Sequence, residues 1–563
     1  MQFGLLLVLM VLASFAEVFT VGATLPFLAI LADPNKVFNH PRAELFIQMG
    51  GFDAPEQLVF PITAGFCMIA LATGALRVLL TWVSIRLAFS AGVDLSVSIY
   101  RRTLYQPYAV HIARNSSEVI SGVLTKASGV IYSVIMPVLS LISSSLILVA
   151  ILAALIVVDP VISLLAFTGF GSVFGFMIWI TRDRKLKNSA RVAVETTNVL
   201  RALQEGLGGI RDVLINGSQD MYCRTYQSSD RPMRLTQADN QFVAFGPRYG
   251  VEALGIVLIA ILAYSMTQRP EGIMGAIPVL GALAVGAQRM FPSMQLAYAS
   301  WSNIESGRAS LGDTLEFLGQ PMPKIAEYER SLPMEFSDQI CLKGISFKYE
   351  GAEKYAFKDI DLTIRKGARV GLVGSTGCGK STLLDVIMGL LIPNEGSVYV
   401  DGKSIDQSNS PAWQKRIAHV PQSIFLADCS VSENIAFGIE RGDIDFERVV
   451  AAARLAHVDD VIEALPDKYQ SKLGERGIKL SGGQRQRIGI ARALYREPDV
   501  IIFDEATSAL DTRTEKKVMA SIEGISKEVT IVIVAHRVET LRGCSDVFTL
   551  SQQGIISSKI TNC

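Results

Sequence analysis

The segment GSTGCGKS, Gly374 to Ser381, places glycines, a lysine and a hydroxyl at the spacing of a phosphate-binding loop. The apolar run ARVGLVG leads into it and TLLDVIMGLL follows, so the loop is predicted to join a strand to a helix. Glycines let backbone N–H groups surround phosphate oxygens at a helix N-terminus, where the helix dipole also favours anions. We predict that ATP binds here, with Lys380 on the β- and γ-phosphates and Ser381 on Mg²⁺.

Two carboxylates, Asp504 and Glu505, stand at the end of the apolar run VIIFDE. At the end of a buried strand, Asp504 is predicted to help hold Mg²⁺ and Glu505 to act as a base toward water. Such a pair is commonly a solvated turn, but a phosphate loop in the same chain favours the catalytic role. Between these motifs lies LSGGQRQRIGIARAL, in which Ser481, Gly482 and Gly483 are predicted to offer backbone donors at a helix start.

LSGGQ, residues 480–484, is the signature of the ATP-binding-cassette family, and residues 338–563 resemble that family's nucleotide-binding domain. The resemblance implies that Tyr349 stacks on adenine. It also implies that Gln422 contacts Mg²⁺ and senses the membrane domain, and that His536 contacts the γ-phosphate.

The motifs and the resemblance together assign roles to individual residues. The predicted catalytic residues are Glu505, His536, Lys380 and Gln422, and the predicted metal-binding residues are Ser381, Gln422 and Asp504. The predicted nucleotide contacts are Tyr349, Gly374, Ser375, Thr376, Gly377, Cys378, Gly379, Lys380, Ser381, Thr382, Ser481, Gly482, Gly483 and Gln484. The SALD segment, residues 508–511, resembles the loop that links the two sites of the family.

The family resemblance also implies a partner, because each ATP in the family lies between the phosphate loop of one subunit and the LSGGQ of the other. A homodimer with a second copy of this chain is the simplest closed arrangement. The segments 206–226 and 105–119 resemble exporter stretches that form coupling helices on the cassette, while solvated helical extensions remain the alternative. ATP binding is expected to close the cassettes and hydrolysis to release them, which rocks the membrane helices.

Hydrophobic residues make up 50% of the 563 positions, and the mean hydropathy of +0.34 is high for a soluble protein. Stretches of about 20 apolar residues, enough to cross a hydrocarbon core as helix, lie near 3–32, 58–92, 128–157, 160–181, 242–266 and 273–296. The predicted fold class is therefore a membrane α-helical domain of exporter type with six transmembrane helices, fused to an α/β P-loop ATPase domain. The predicted boundaries are 1–316 for the membrane domain, 317–337 for the linker and 338–563 for the nucleotide-binding domain.

Basic residues concentrate between the second and third stretches and between the fourth and fifth, which predicts that both connections are cytoplasmic. Six spans then return the chain to the cytoplasm. The first stretch lacks a basic n-region and is predicted to be a retained helix and not a signal peptide. Between 33 and 57, an amphipathic helix on the membrane surface and an ordered loop both stay open, with the loop favoured.

Equal numbers of basic and acidic residues, 53 each, give no overall field that would favour a nucleic-acid partner. The seven cysteines include no CxxC pair, so neither a zinc site nor a disulfide framework is indicated.

Five ionisable residues interrupt the apolar stretches, which makes them candidates for substrate contact. They are Glu17, Arg77, Arg248, Glu252 and Arg289. Each lies roughly 21–28 Å from the outer end of its helix at about 1.5 Å per residue. The ordinary explanation is that Arg248 pairs with Glu252 and that Glu17 neutralises another helix. Since guanidinium groups match phosphate oxygens, an anionic substrate headgroup is the alternative.

The membrane segments SFAEVFTVGATLPFLAIL, GALRVLL, PRYGVEALG and QRMFPSMQL resemble PglK-type flippases of lipid-linked oligosaccharides. This resemblance implies that an oligosaccharide on a polyprenyl pyrophosphate moves from the cytoplasmic to the outer leaflet of a bacterial inner membrane, with membrane lipids around it. Export of amphipathic lipids, drugs or peptides is the alternative within the same class. An ATP-gated channel or regulator is the alternative from another class.

Overall fold

The computed structural model describes residues 2–32, 34–39, 48, 52–158, 160–267, 272–322, 332–474, 477–505, 512–525, 528–535, 541, 543–551 and 554–558. The chain divides into two compact units, one formed by residues 1–106 and 114–321 and the other by residues 107–113 and 322–563. The change of unit after residue 321 falls inside the predicted linker. The predicted domain boundaries themselves stay predictions.

The first unit is helical. Its helices of eight or more residues are α1 (Gln2–Ala32), α2 (Val59–Leu104), α3 (Met136–Val158), α4 (Pro160–Gly208), α5 (Gln219–Phe245), α6 (Pro247–Thr267) and α7 (Gly272–Gly319). Shorter α-helical segments are Pro34–Phe38, Ser116–Ile120, Ala127–Val130 and Ile210–Ile215, with a 3₁₀ turn at Pro55–Leu58 and π-helical turns at Ser121–Lys126 and Ile131–Ile135.

Three helical runs in the described part of the chain are long and apolar enough to cross a membrane by length and composition: Gln2–Leu31, Pro55–Leu104 and Ser117–Val157. They coincide with the first three predicted stretches. The other three stay predictions, as does the full count of six. Within residues 33–57, for which helix and loop were left open, Pro34–Phe38 is α-helical and Pro55–Leu58 is a 3₁₀ turn, while residues 33, 40–47 and 49–51 lie outside the described residues.

The second unit contains two sheets. The smaller has the strand order β2-β1-β4-β5, and the larger has the order β10-β9-β3-β8-β7-β6. The strands are β1 (Gln339–Phe347), β2 (Phe357–Arg365), β3 (Arg369–Gly374), β4 (Glu395–Val400), β5 (Lys403–Ser404), β6 (Ile417–Val420), β7 (Val500–Asp504), β8 (Thr530–Val534), β9 (Asp546–Ser551) and β10 (Gly554–Ser558).

Helices of the second unit accompany these strands. Those of eight or more residues are α8 (Lys380–Ile387), α9 (Phe446–Leu455), α10 (Gly482–Tyr495) and α11 (Thr512–Ile525). Shorter segments are the α-helical Tyr108–Ala113, Ser410–Gln414, Val431–Ile435 and Asp459–Glu463 and the 3₁₀ turns Arg441–Asp443 and Lys468–Gln470.

The larger sheet brings the predicted motifs to one edge. Strand β3 pairs with β8, β8 with β7, and β7 with β6, all in parallel. Strands β7 and β8 are buried along almost their whole length, as is typical of parallel strands covered on both faces. Since the carboxyl ends of parallel strands meet at one edge, the segments that follow β3, β6 and β7 are neighbours there.

Candidate functional site

The predicted phosphate loop joins the end of β3 to the start of α8, the strand–loop–helix context that the sequence predicted. Gly377 and Gly379 have φ angles of 82° and 93°, in the left-handed region that glycine adopts most readily. A Cβ atom on Gly379 would lie 2.8 Å from the carbonyl oxygen of Ala356. No side chain caps the N-terminus of α8, so its first backbone N–H groups can donate hydrogen bonds to phosphate oxygens.

The Lys380 side chain is held inside this loop. Its Nζ donates to the carbonyl oxygens of Gly374 at 2.9 Å and Ser375 at 3.0 Å, and the residue is only 7% exposed. The ammonium group therefore lies inside the curve of the loop, where its charge attracts phosphate oxygens.

Tyr349, the predicted adenine contact, lies beside the same helix. Its hydroxyl is 2.9 Å from the Thr382 hydroxyl, and its ring packs edge-on against Phe347 with centroids 5.0 Å apart. These two contacts fix the ring of Tyr349, and 36% of the residue stays exposed. An exposed, fixed aromatic ring near the phosphate loop is suited to stacking on a base.

The two predicted carboxylates follow one another at the end of β7. Asp504 is the last residue of the strand, and Glu505 turns out of it with a φ of 50°, a strained backbone for a residue other than glycine. The Glu505 backbone N–H donates to the carbonyl oxygen of Val534 on β8 at 3.1 Å. Gln422, which follows β6, donates from Nε2 to Glu505 Oε2 at 2.7 Å. The structure thus joins the predicted base and the predicted sensor directly.

Two residues near Asp504 escaped the sequence predictions. Burial, helped by the charge of Asp504, raises the pKa of Asp385 on α8 to about 6. Burial lowers the pKa of His419 on β6, whose Nε2 atom is buried without a hydrogen-bond partner among the described residues. One clue to Asp385 was available, because its spacing of four from Ser381 places both on one helix face.

The LSGGQ segment starts α10. The Ser481 hydroxyl accepts from the Gln484 backbone N–H at 3.3 Å, and the Gln484 side chain accepts from the Ser481 backbone N–H at 2.8 Å. This reciprocal capping box gives the Gln484 side chain a local structural role. The backbone donors of Gly482 and Gly483 are therefore the more direct candidates for an anion, and Gln484 as a nucleotide contact stays a prediction.

Oxygen ligands of the kind that Mg²⁺ prefers occur at the predicted metal positions: the Ser381 hydroxyl, the Asp504 carboxylate and the Gln422 amide. Within the described ranges, no three His, Cys, Asp or Glu side chains gather as a metal site. A protein with few ligands of its own fits Mg²⁺, which commonly takes one or two protein groups together with substrate phosphates.

Some predicted residues lie outside the described part of the chain. They are His536 and the SALD segment, residues 508–511, while for Arg289 only the backbone, in α7, is described.

The ionisable residues of the apolar helices are paired where they are described. Arg77 on α2 lies 2.9 Å from Glu17 on α1, and Glu17 is 1% exposed while Arg77 is 44% exposed. Arg248 and Glu252 approach to 3.9 Å within α6, each 55% exposed. The ordinary explanation, mutual neutralisation, therefore applies to these four residues. Arg77 nevertheless leaves 44% of its side chain uncovered by this chain.

Comparison with known proteins gives a consistent result. Residues 357–508 match a family model described as ABC transporter. A protein of Chromohalobacter salexigens named ATP-dependent lipid A-core flippase is 30% identical over 400 residues, covering 70% of this chain and 67% of that protein. A protein of the same name from Albidiferax ferrireducens is 28% identical over 525 residues, covering 92% of this chain and 89% of the relative.

Among solved structures, a bacterial Atm1-family ABC exporter with ATP bound superposes with a TM-score of 0.78 at 20% identity. The similarity covers 97% of this chain and 94% of the exporter. At that identity the likeness concerns the fold, and it spans both units of the chain.

Proposed function

The chain belongs to the ABC transporter family and is an ATPase coupled to transport, and from this premise we propose that it flips an anionic glycolipid across a bacterial inner membrane. The cargo proposed is a lipid-linked oligosaccharide, a glycan on polyprenyl pyrophosphate, moved from the cytoplasmic to the outer leaflet. The half-transporter acts as a homodimer, with ATP held between the phosphate loop of one copy and the LSGGQ segment of the other.

In the proposed hydrolytic site each residue has one task. Lys380 and the loop N–H groups neutralise and orient the phosphates, and Tyr349 positions the base. Glu505 accepts a proton from the attacking water, while Gln422 holds the Glu505 carboxylate in place. A bound Mg²⁺ supplies electrostatic stabilisation of the developing phosphate charge.

A short segment of the chain supports the proposed coupling. Residues 107–113, including the helix Tyr108–Ala113, group with the second compact unit and not with the helices on either side of them in sequence. Burial, followed by the charges of Asp385 and Tyr349, raises the pKa of Tyr108. A segment within 105–119 therefore lies near the phosphate-loop helix, which supports its proposed role as a coupling helix.

One observation carries the cargo proposal: Arg77 exposes 44% of its side chain in the middle of an apolar helix while its partner Glu17 is almost completely buried. Exposing a guanidinium in such a helix is costly unless it serves an interaction. The contact with Glu17 leaves further N–H donors, which suit phosphate oxygens. Relatives named lipid A-core flippases support a lipid cargo.

The test is reconstitution into proteoliposomes with a fluorescent polyprenyl-pyrophosphate glycan. We expect ATP-dependent transfer between leaflets that disappears in Glu505→Gln. Replacing Arg77, Arg248 and Arg289 together by leucine should abolish substrate-stimulated ATPase activity. Arg86→Leu is the matched control, because Arg86 lies on α2 but stacks over Trp82, 5.7 Å from the ring centroid. Unchanged transport in the triple variant would refute the proposed role of the arginines.

The name shared by the relatives favours a second candidate, a flippase for a lipid A-type glycolipid. Supplying that lipid in place of the polyprenyl-linked glycan separates the two candidates, because only the true cargo stimulates ATP hydrolysis saturably. A passive ion current without hydrolysis would instead support a channel.

A further inference from the structure

A cavity of about 340 Å³ lies in the first unit between helices α2, α3 and α7. Arg77 and Ser84 contribute to its wall from α2, and Ser140, Ser143 and Ser144 contribute from α3. Its volume is at the lower end of the range, about 300–1,000 Å³, that is typical of ligand sites. The greater part of the wall is apolar, and it carries one cation and several hydroxyls.

The hydroxyls of this wall are not all alike. Thr81, which also lines the cavity, donates to the Arg77 carbonyl oxygen at 2.8 Å and is satisfied by its own helix, and Ser293 of α7 has a partner as well. Among the residues that the structure describes, no hydrogen bond is found for the hydroxyls of Ser84, Ser140, Ser143 and Ser144.

Ser144 is the most deeply buried of these serines. It is 2% exposed and lines the cavity, and no hydrogen bond of its hydroxyl is found within the described ranges. A hydroxyl on an apolar cavity wall is unfavourable without a partner, and ligands are one of the ways in which such groups are satisfied. On the opposite wall, Pro292 of α7 has no N–H to donate to the carbonyl four residues earlier, at Gln288.

We propose that this cavity binds a sugar residue of the transported headgroup, with its serine hydroxyls bonding sugar hydroxyls and Arg77 contacting the neighbouring phosphate. Serine both donates and accepts hydrogen bonds, as each sugar hydroxyl does, and an acyl chain would leave the same groups unsatisfied. The small volume takes part of a headgroup and not a long glycan. This inference rests on the proposed function, since it specifies how the glycolipid is recognised.

The experiment uses the full chain in proteoliposomes, with ATPase stimulation titrated by two probes. One is a polyprenyl pyrophosphate carrying a glycan, and the other is the same polyprenyl pyrophosphate without sugar. In the variant with Ser140→Ala, Ser143→Ala and Ser144→Ala, the half-maximal concentration of the glycan-bearing probe should rise at least about tenfold. The response to the sugar-free probe should change less than about twofold.

The matched control is Ser145→Ala, on the same helix but exposed and outside the cavity wall. It should leave both titrations unchanged. Ser144→Ala alone serves if the triple variant does not fold, with an expected shift of about threefold for the glycan-bearing probe only.

The outcomes separate this inference from the proposed function. Equal shifts in half-maximal concentration for both probes would mean that the serines only pack the helices. No shift for either probe would mean that sugar is recognised elsewhere. Either result overturns the inference and does not contradict the proposed flippase function. If neither probe stimulates the unmodified chain, the lipid-linked cargo fails and the sugar site fails with it. Cross-linking of Ser143→Cys to a second copy across the cavity would assign the space to the partner subunit, and so would also overturn the inference.

Discussion

The two compact units distribute their large apolar side chains in opposite ways. In the second unit Trp413, Phe357 and Phe503 are 0–1% exposed. In the first unit Phe60 is 80% exposed and Trp179 is 76% exposed, both within apolar stretches of long helices. The reason is the solvent: burial from water stabilises the second unit, whereas a hydrocarbon solvent gives apolar residues no preference for the interior.

Polar side chains also differ, since several of them are buried between helices of the first unit. In the first unit Thr20 and Thr73 share a hydrogen bond of 2.9 Å between α1 and α2, and Glu17 is buried beside Arg77. Beyond the predicted spans, Lys185 is 1% exposed and contacts Ser302, and burial lowers its pKa to about 8. Polar contacts therefore link helices that apolar packing alone does not specify. The same residue type therefore contributes differently to stability in each unit.

The largest effect is expected for the chemistry of the second unit. Glu505→Gln should lower the ATP turnover rate by about 10²–10⁴-fold, because the amide cannot accept the proton of the attacking water. The thermal midpoint should stay within a few degrees. Phosphate release and thermal unfolding of the purified chain measure both. The control is Glu447→Gln, an exposed carboxylate on α9, and equal losses in both variants would remove Glu505 from the role of base.

A pair of tryptophan substitutions tests the opposite burial of large apolar side chains in the two units. Trp413→Ala removes a fully buried ring whose Nε1 donates to the Ile387 carbonyl oxygen at 2.9 Å, and should reduce the free energy of unfolding by about 3–5 kcal/mol. Trp179→Ala, on the exposed face of α4, should change it by about 0.5 kcal/mol or less in detergent. Denaturation curves of both variants measure the two losses in free energy of unfolding. Similar losses would contradict the opposite burial of apolar side chains in the two units.

The paired charges of the first unit provide a smaller effect. Arg77→Leu removes the guanidinium that lies beside the buried Glu17 carboxylate and should cost about 2–3 kcal/mol, whereas adding Glu17→Gln should restore most of that loss. Arg248→Leu breaks a pair in which both side chains are half-exposed and should cost about 0.5 kcal/mol or less. A double-mutant cycle by thermal unfolding tests this. An additive double variant would show that the ion pair does not couple α1 to α2.

The smallest effect is a pH dependence within the second unit. The folded-state pKa of Asp385, about 6, lies above its usual 3.8, so the folded chain binds this proton more tightly than the unfolded chain. Stability from this group is therefore present near pH 4, is lost as the pH rises to about 6, and stays lost above it.

Asp385→Asn removes that loss. In the nucleotide-free chain with a chelator, the variant should gain about 2 °C in thermal midpoint relative to the parent on going from pH 5 to pH 7.5. The gain is small because solvent reaches part of the carboxyl group. Parallel curves of thermal midpoint against pH for the two chains would show that Asp385 does not titrate in this range.

Much of the second unit could be predicted because its motifs are local. The phosphate loop, its strand and its helix are contiguous in sequence, and the positive φ angles of Gly377 and Gly379 explain why glycine recurs there. The proximity of Asp385 and His419 to Asp504 escaped prediction. It depends on the order of β3, β8, β7 and β6 in the sheet and on burial, neither of which is local.

The class of this protein, its membrane and ATPase parts, and the residues proposed for nucleotide chemistry could be predicted from the sequence alone. Spacing along a strand–loop–helix fixes neighbours without reference to distant segments. The pairing of Arg77 with Glu17 and the position of Ser84, Ser140, Ser143 and Ser144 around one cavity came from the tertiary structure alone. Helices that are apolar on every side carry no periodic signal of which face meets which neighbour. Side-chain contacts between them are therefore set by packing over long separations in sequence.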